Sequence, residues 1–285
     1  MAIIRSSIEL ILGGALAGSV PAVAAPVEAY RLIWADEFET GSRPDAAKWS
    51  FEQGFVRNGE MQWYQPDNAF VENGLLVIEA RRERKPNPGF GNQRLAAEFR
   101  NRRFAHYTSA SVTTKGLHSW QYGRFEVRAR IKAEQGLWPA LWFVGSRGKW
   151  PAAGEIDLME YYENSILGNF AWASAQPGKP VWKASKIPLS AITSDPDWDR
   201  QFHIWVMDWD EKQISLFLDD RLINRIDLDT VRNRDGSGIA NPFRQPHHMI
   251  INLALGGSKG GPLAATKMPS RFEIDYVRIY QKVSQ

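Results

Sequence analysis

The chain is 285 residues long, with no cysteine, 44% hydrophobic and 24% charged residues, and a formal net charge of +3. That balance excludes a disordered chain, and the missing thiols exclude disulfide scaffolds, thiolate zinc or iron-sulfur sites and a cysteine nucleophile. So small a charge also argues against an obligate reader of nucleic-acid phosphates, so no nucleic-acid partner is expected; the unusual count is 12 tryptophans.

In chain order, residues 1–25 hold Arg5, an apolar run from Ile8 to Val20, and the small residues Ala22, Ala24 and Ala25 before Pro26. This is the order of a secretory signal peptide cleaved near Ala24 or Ala25. A membrane anchor needs ~20 predominantly apolar residues, and Glu9, Gly13, Gly14 and Gly18 interrupt this one. The expectation is a secreted or periplasmic protein with no membrane partner, working as a monomer from residues 26–285.

From Pro26 onward, apolar residues recur with a period of two. Strands are predicted at Leu75–Ala80, Ser109–Thr114, Arg124–Lys132, Ala140–Val144, Glu155–Tyr162, Phe202–Asp208, Gln213–Leu218, Arg221–Asp227, His248–Leu255 and Phe272–Tyr280. The turns Trp209–Lys212 and Asp219–Asp220 join three of them into a meander. Segments 82–92 and 232–246 read as surface loops, and Arg81–Lys85 as a solvated strand end that blunts a sheet edge. No linker or repeat divides the chain. An all-β fold, one antiparallel β-sandwich, is the simplest account, and a domain of this size buries enough surface to need no disulfide.

Three acids stand inside the apolar strand Gly154–Tyr161: Glu155, Asp157 and Glu160. Residues two apart share a face, so Glu155 and Asp157 point one way while Ile156 and Leu158 point the other. Glu160 falls on the wrong face unless a β-bulge near Leu158 or Met159 inserts one residue. With that bulge the two glutamates stand ~13 Å apart along the backbone, a gap that side chains leaning over one cleft largely close. Crowded acids repel, so at least one titrates high, as a general acid must. A calcium site wraps loop ligands around the ion, which a strand with intervening Ile, Leu and Met does not do. Paired carboxylates of this kind hydrolyse glycosidic bonds.

Glu155-Ile156-Asp157-Leu158-Met159-Glu160 resembles the ExDxxE signature of bulge-containing family 16 glycoside hydrolases, the laminarinase-like endo-β-glucanases. Trp34–Phe38, Asn73–Ala80, Tyr107–Ala110, Tyr122–Glu126, Gly136–Trp142, Asn252–Gly257 and Asp275–Tyr280 are similar to family segments in the same order. The resemblance implies a concanavalin A-like jelly roll with a concave sugar-binding cleft and a retaining double displacement. It makes Glu155 the nucleophile, Glu160 the acid/base and Asp157 the group that tunes both, with no catalytic cofactor. It also implies a structural calcium at Glu37, the Gly74 carbonyl and Asp275.

Flat tryptophan rings suit the C–H faces of sugars, so Trp138, Trp142, Trp150 and Trp172 are candidate substrate contacts, while Trp49, Trp205 and Trp209 fit a core. Asn58, in a segment similar to the family's cleft edge, reads as a sugar contact or as a turn residue. One departure stands out: the family's HGTxH-like strand has a histidine near the acid/base, and here Trp172 stands about where it is expected. That loosens the assignment of a glucan. The leading reading is a secreted endo-β-glycanase acting on β-1,3- or mixed-linkage glucan. A galactan-directed hydrolase and a non-catalytic lectin on the same fold are the alternatives, and Lys183 and Lys186 are compatible with an acidic polymer or with plain solvation.

Overall fold

In the computed structural model, which describes residues 30–283, the alternation of the sequence becomes two antiparallel sheets packed face to face. The signal-peptide reading of residues 1–25 lies outside the described residues. One sheet has eight strands, with Gly123–Arg130 and Ser270–Lys282 at its middle and the meander His203–Trp209, Gln213–Leu218 and Arg221–Asp227 at one end.

The other sheet carries the cleft. Its seven strands, numbered in chain order, are β1 (Ser50–Phe51), β2 (Ser111–Thr113), β3 (Leu137–Gly145), β4 (Glu155–Tyr162), β5 (Ser165–Ala173), β6 (Pro180–Pro188) and β7 (His247–Leu255). Across the sheet they run β6-β5-β4-β3-β7-β2-β1. Their inward residues, among them Leu141, Phe143, Ile156, Phe170 and Ile251, meet Phe125, Trp205, Leu216 and Ile274 of the opposite sheet in one core. Trp49, Trp205 and Trp209 are nearly fully buried there. With burial worth ~25 cal/mol per Å² of apolar surface, this core holds the chain without cross-links.

The predicted bulge is present. Asp157 pairs with Asn169 and Glu160 with Leu167, so two residues of β4, Leu158 and Met159, face one of β5. Both turn into the core, which returns Glu160 to the cleft face.

Three strands of the cleft sheet were not predicted. β1 is only two residues long, β5 is buried on both faces and therefore shows no alternation to read, and β6 is an exposed edge strand with two Lys and two Pro. The predicted strand Ser109–Thr114 divides into Tyr107–Ser109, paired with Gln62–Tyr64, and β2.

Candidate active site

Strand pairing sets the cleft floor as three rungs across β3, β4, β5 and β6. Val144, Glu155, Ala171 and Trp182 form the first, and Trp142, Asp157, Asn169 and Ala184 the second. Ala140, Glu160, Leu167 and Lys186 form the third. Above them opens a cleft of about 630 Å³, whose lining includes all three acids with Arg57, Asn58, Trp138, Trp142, Trp150, Trp182 and Asn252.

Each acid has a separate environment. Trp150 Nε1 donates to Glu155 Oε2 at 2.5 Å. Trp138 Nε1 donates to Glu160 Oε1 at 2.8 Å. The Asn169 amide donates to both Asp157 Oδ2, at 3.1 Å, and Glu160 Oε2, at 2.9 Å. Asp157 is buried, and burial followed by the charges of Glu160 and Glu155 holds its pKa well above the usual carboxylate range. A protonated Asp157 is a donor, and it is hydrogen-bonded with Glu155 and also with Glu160. Burial also raises Glu155, against hydrogen bonds from Asp157 and Trp150 and the nearby Arg57 charge, all of which favour the carboxylate. Glu160 is pushed up to about 7, chiefly by burial and then by the Glu155 charge, with the Trp138 and Asn169 hydrogen bonds opposing. Glu160 is thus able to hold a proton near neutrality, while the hydrogen bonds on Glu155 favour its carboxylate against the burial that raises it.

Of the candidate sugar contacts, Trp142 and Trp150 line the cleft, Trp150 with 47% of its surface exposed. Trp142 is fixed by donating to Asn252 Oδ1 at 2.7 Å, and the Arg57 guanidinium lies 5.0 Å from its ring centroid. Trp138 lines the wall but is nearly buried, so its part is to hold Glu160. Asn58 lines the rim and takes a left-handed backbone, φ 58°, as a turn residue does. Gly256 and Gly257, with φ 61° and 67°, turn the loop after β7 against this rim; a Cβ on Gly257 would stand 2.9 Å from the Asn58 carbonyl oxygen.

Trp172 is a correction. It shares parity with Phe170, packs on the core and meets Phe243 edge-on at 6.5 Å, outside the cleft. The cleft-facing residue beside Glu155 is Ala171. Trp182, 46% exposed in the next strand, supplies the aromatic surface there instead. Sequence reasoning missed Trp182, Asn169, Arg57 and Asn252.

The calcium reading meets an obstacle. Asp36 pairs with Val277 and Leu76 with Ile274, which brings Glu37 and Gly74 toward Asp275. Yet Arg278 donates to both Glu37 oxygens at 2.8 Å, and Arg128 is paired with Asp275. Among the described residues, no group of three or more His, Asp or Glu is arranged to hold a metal ion. As placed, these residues do not fit calcium, because guanidinium groups already neutralise both carboxylates.

The family model for glycosyl hydrolases family 16 matches residues 59–278. A beta-glucanase of Rhodothermus marinus is 32% identical over 97% of this chain and 93% of its own length. A structure solved in work on endo-acting O-glycanases with which human gut microbes initiate mucin breakdown superposes with a TM-score of 0.79 at 35% identity, over 92% of this chain and 94% of the other. The laminarinase catalytic domain of Thermotoga maritima does so with a TM-score of 0.72 at 33% identity, over 90% and 99%. A carboxylate triad on a bulged strand, under a tryptophan-lined cleft and within a match of this extent, makes the chain a glycoside hydrolase belonging to family 16.

Proposed function

We propose that the chain is an endo-acting, retaining hydrolase of β-1,3- or mixed β-1,3-1,4-glucan, exported by way of residues 1–25. The observation that carries the chemistry is the common cleft face of Glu155, Asp157 and Glu160, with Glu160 able to hold a proton near neutrality. Glu155 attacks the anomeric carbon while Glu160 gives its proton to the leaving oxygen. Glu160, now a carboxylate, takes a proton from water, the water oxygen attacks the same carbon, and Glu155 leaves. Asp157 keeps its own proton throughout and steadies the Glu155 carboxylate by donating to it. The chain of contacts Glu155–Asp157–Asn169–Glu160 draws the two glutamates together and supports the retaining spacing of ~5–5.5 Å. A floor crossing β6, β5, β4, β3 and β7, about 19 Å at ~4.8 Å per strand, is long enough for several sugar rings and supports internal cleavage.

A galactan-directed hydrolase is the second reading, favoured by one feature. Ala171, opposite Glu155, is fully buried and carries only a methyl group, so this rung presents no imidazole to the sugar.

Reducing-end release from laminarin, lichenan, agarose, porphyran and carrageenan separates the two, and proton NMR of the first product reads the anomeric configuration. Cleavage of laminarin or lichenan with retention is expected. Inversion, or near-normal turnover by Glu155→Gln, overturns the mechanism, and cleavage of agarose or porphyran alone overturns the glucan assignment.

A further inference from the structure

Residues 81–106 hold eight Lys or Arg and two Glu, a net +6 in a chain whose whole charge is +3, so the rest of the chain is net negative. This charge sits on a built surface. Lys85 and Pro86 pair with Ala105 and Phe104, and the buried Asn87 closes the long loop between them by donating to the Phe99 and Arg102 carbonyls at 2.9 and 2.7 Å.

Arg81 and Lys85 have carboxylate partners in Glu79 and Glu83. Arg82, Arg84 and Arg103 are exposed and pair with no carboxylate among the described residues. Each lies over a ring instead: Arg84 and Arg103 over Phe104, at 3.5 and 5.6 Å from its centroid, and Arg82 over Tyr107 at 5.3 Å. Two guanidinium groups on one ring lie within about 10 Å of each other, a Debye length at 0.1 M salt, so they repel unless an anion comes between them. Their planar forks suit sulfate and carboxylate oxygens.

The lobe is joined to the cleft rim. Arg102 donates to the Gly59 carbonyl at 2.7 Å and to that of Glu60, and Phe99 stacks on Phe55, which meets Trp63 edge-on. Asn58 and Glu60 line the cleft. The arginine cluster is therefore held beside the end of the cleft away from Trp182.

We propose that Arg82, Arg84 and Arg103 form a binding surface, outside the cleft, for a polyanionic polysaccharide bearing sulfate or carboxylate groups. The surface anchors the enzyme to a charged glycan matrix, or to charged stretches of the polymer it cuts, whichever neutral linkage the cleft takes.

The test uses the full chain carrying Glu155→Gln to prevent hydrolysis, with and without Arg82→Gln, Arg84→Gln and Arg103→Gln together. Binding to dextran sulfate, alginate and neutral dextran is measured in 0.15 M salt. The parent should bind dextran sulfate or alginate and not neutral dextran, and which anionic polymer binds more tightly tells sulfate from carboxylate. Losing three exposed charge contacts should weaken that binding about tenfold or more. In the active background the same three substitutions should leave turnover of a short neutral oligosaccharide within about twofold and the melting temperature unchanged, since none of the three touches the cleft. Equal polyanion binding by parent and variant, or none by the parent, overturns the proposal. So does capture by phosphatidylserine vesicles but by neither anionic glycan, which assigns the face, with its exposed Phe90 and Leu95, to a membrane.

Discussion

Glu160→Gln separates what the acid/base residue does for catalysis from what it costs the fold. Burial first, and then the Glu155 charge, raises this carboxyl from its ordinary 4.5 to about 7. A pKa raised by folding stabilises the native state below the unfolded value, and that contribution is lost as pH climbs through the folded value. Between pH 4.5 and pH 8 the fold therefore loses about 3 kcal/mol through Glu160 alone. Glutamine is never charged and escapes this loss. It presents one acceptor where the carboxylate presents two, so either Trp138 Nε1 or Asn169 Nδ2 goes without its partner, at about 1 kcal/mol. The variant should be less stable than the parent by about 1 kcal/mol below pH 4 and more stable by about 2 kcal/mol near pH 9, with the curves crossing near pH 5. Urea unfolding at a series of pH values measures this, while hydrolysis should fall about 100-fold or more with loss of the proton donor. A stability difference that stays constant from pH 5 to 9 would refute the electrostatic account, whatever the activity did.

Three further outcomes follow from the same contacts. Trp150→Phe removes the N–H that favours ionised Glu155, so the acid limb of kcat/KM should move up by roughly half to one pH unit; an unmoved limb means that the indole does not tune the nucleophile. Trp182→Ala should raise KM about three- to tenfold with little change in kcat, because a lost sugar-stacking face is worth ~0.5–1.5 kcal/mol and acts before the chemistry; steady-state kinetics on an oligosaccharide decide it. Calcium addition and chelation should both leave the melting temperature unchanged, since Arg278 and Arg128 occupy Glu37 and Asp275; a rise with calcium would show that these arginines yield to the ion.

The acid strand was legible in the sequence because its two faces differ so sharply in polarity. Ile156 and Leu158 had to point inward and Glu155 and Asp157 outward, and the misfit of Glu160 under that rule locates the bulge from the sequence. The fold class followed from the same periodicity. β5 could not be read in this way, since burial on both faces removes the alternation, and β6 mixes lysine with apolar residues on each face. Asn169 and Trp182 were missed for a related reason. Their roles depend on register across two strand pairs, and a sequence shows spacing within a strand but not which residue of the next strand lies opposite.

Trp172 shows how much one position of parity decides. It lies three residues after Asn169, an odd step, so once Asn169 faces the acids Trp172 must face the core, and a histidine there could not have reached Glu160. The residue of Asn169's parity beside Glu155 is Ala171, which is fully buried and carries only a methyl group. The neighbouring β6 places the half-exposed Trp182 directly next to it. The acids set what bond chemistry is possible; of Ala171 and Trp182 in the rung beside Glu155, only Trp182 is exposed to the cleft, so a contact between that pair and a sugar is made by Trp182 and not by Ala171.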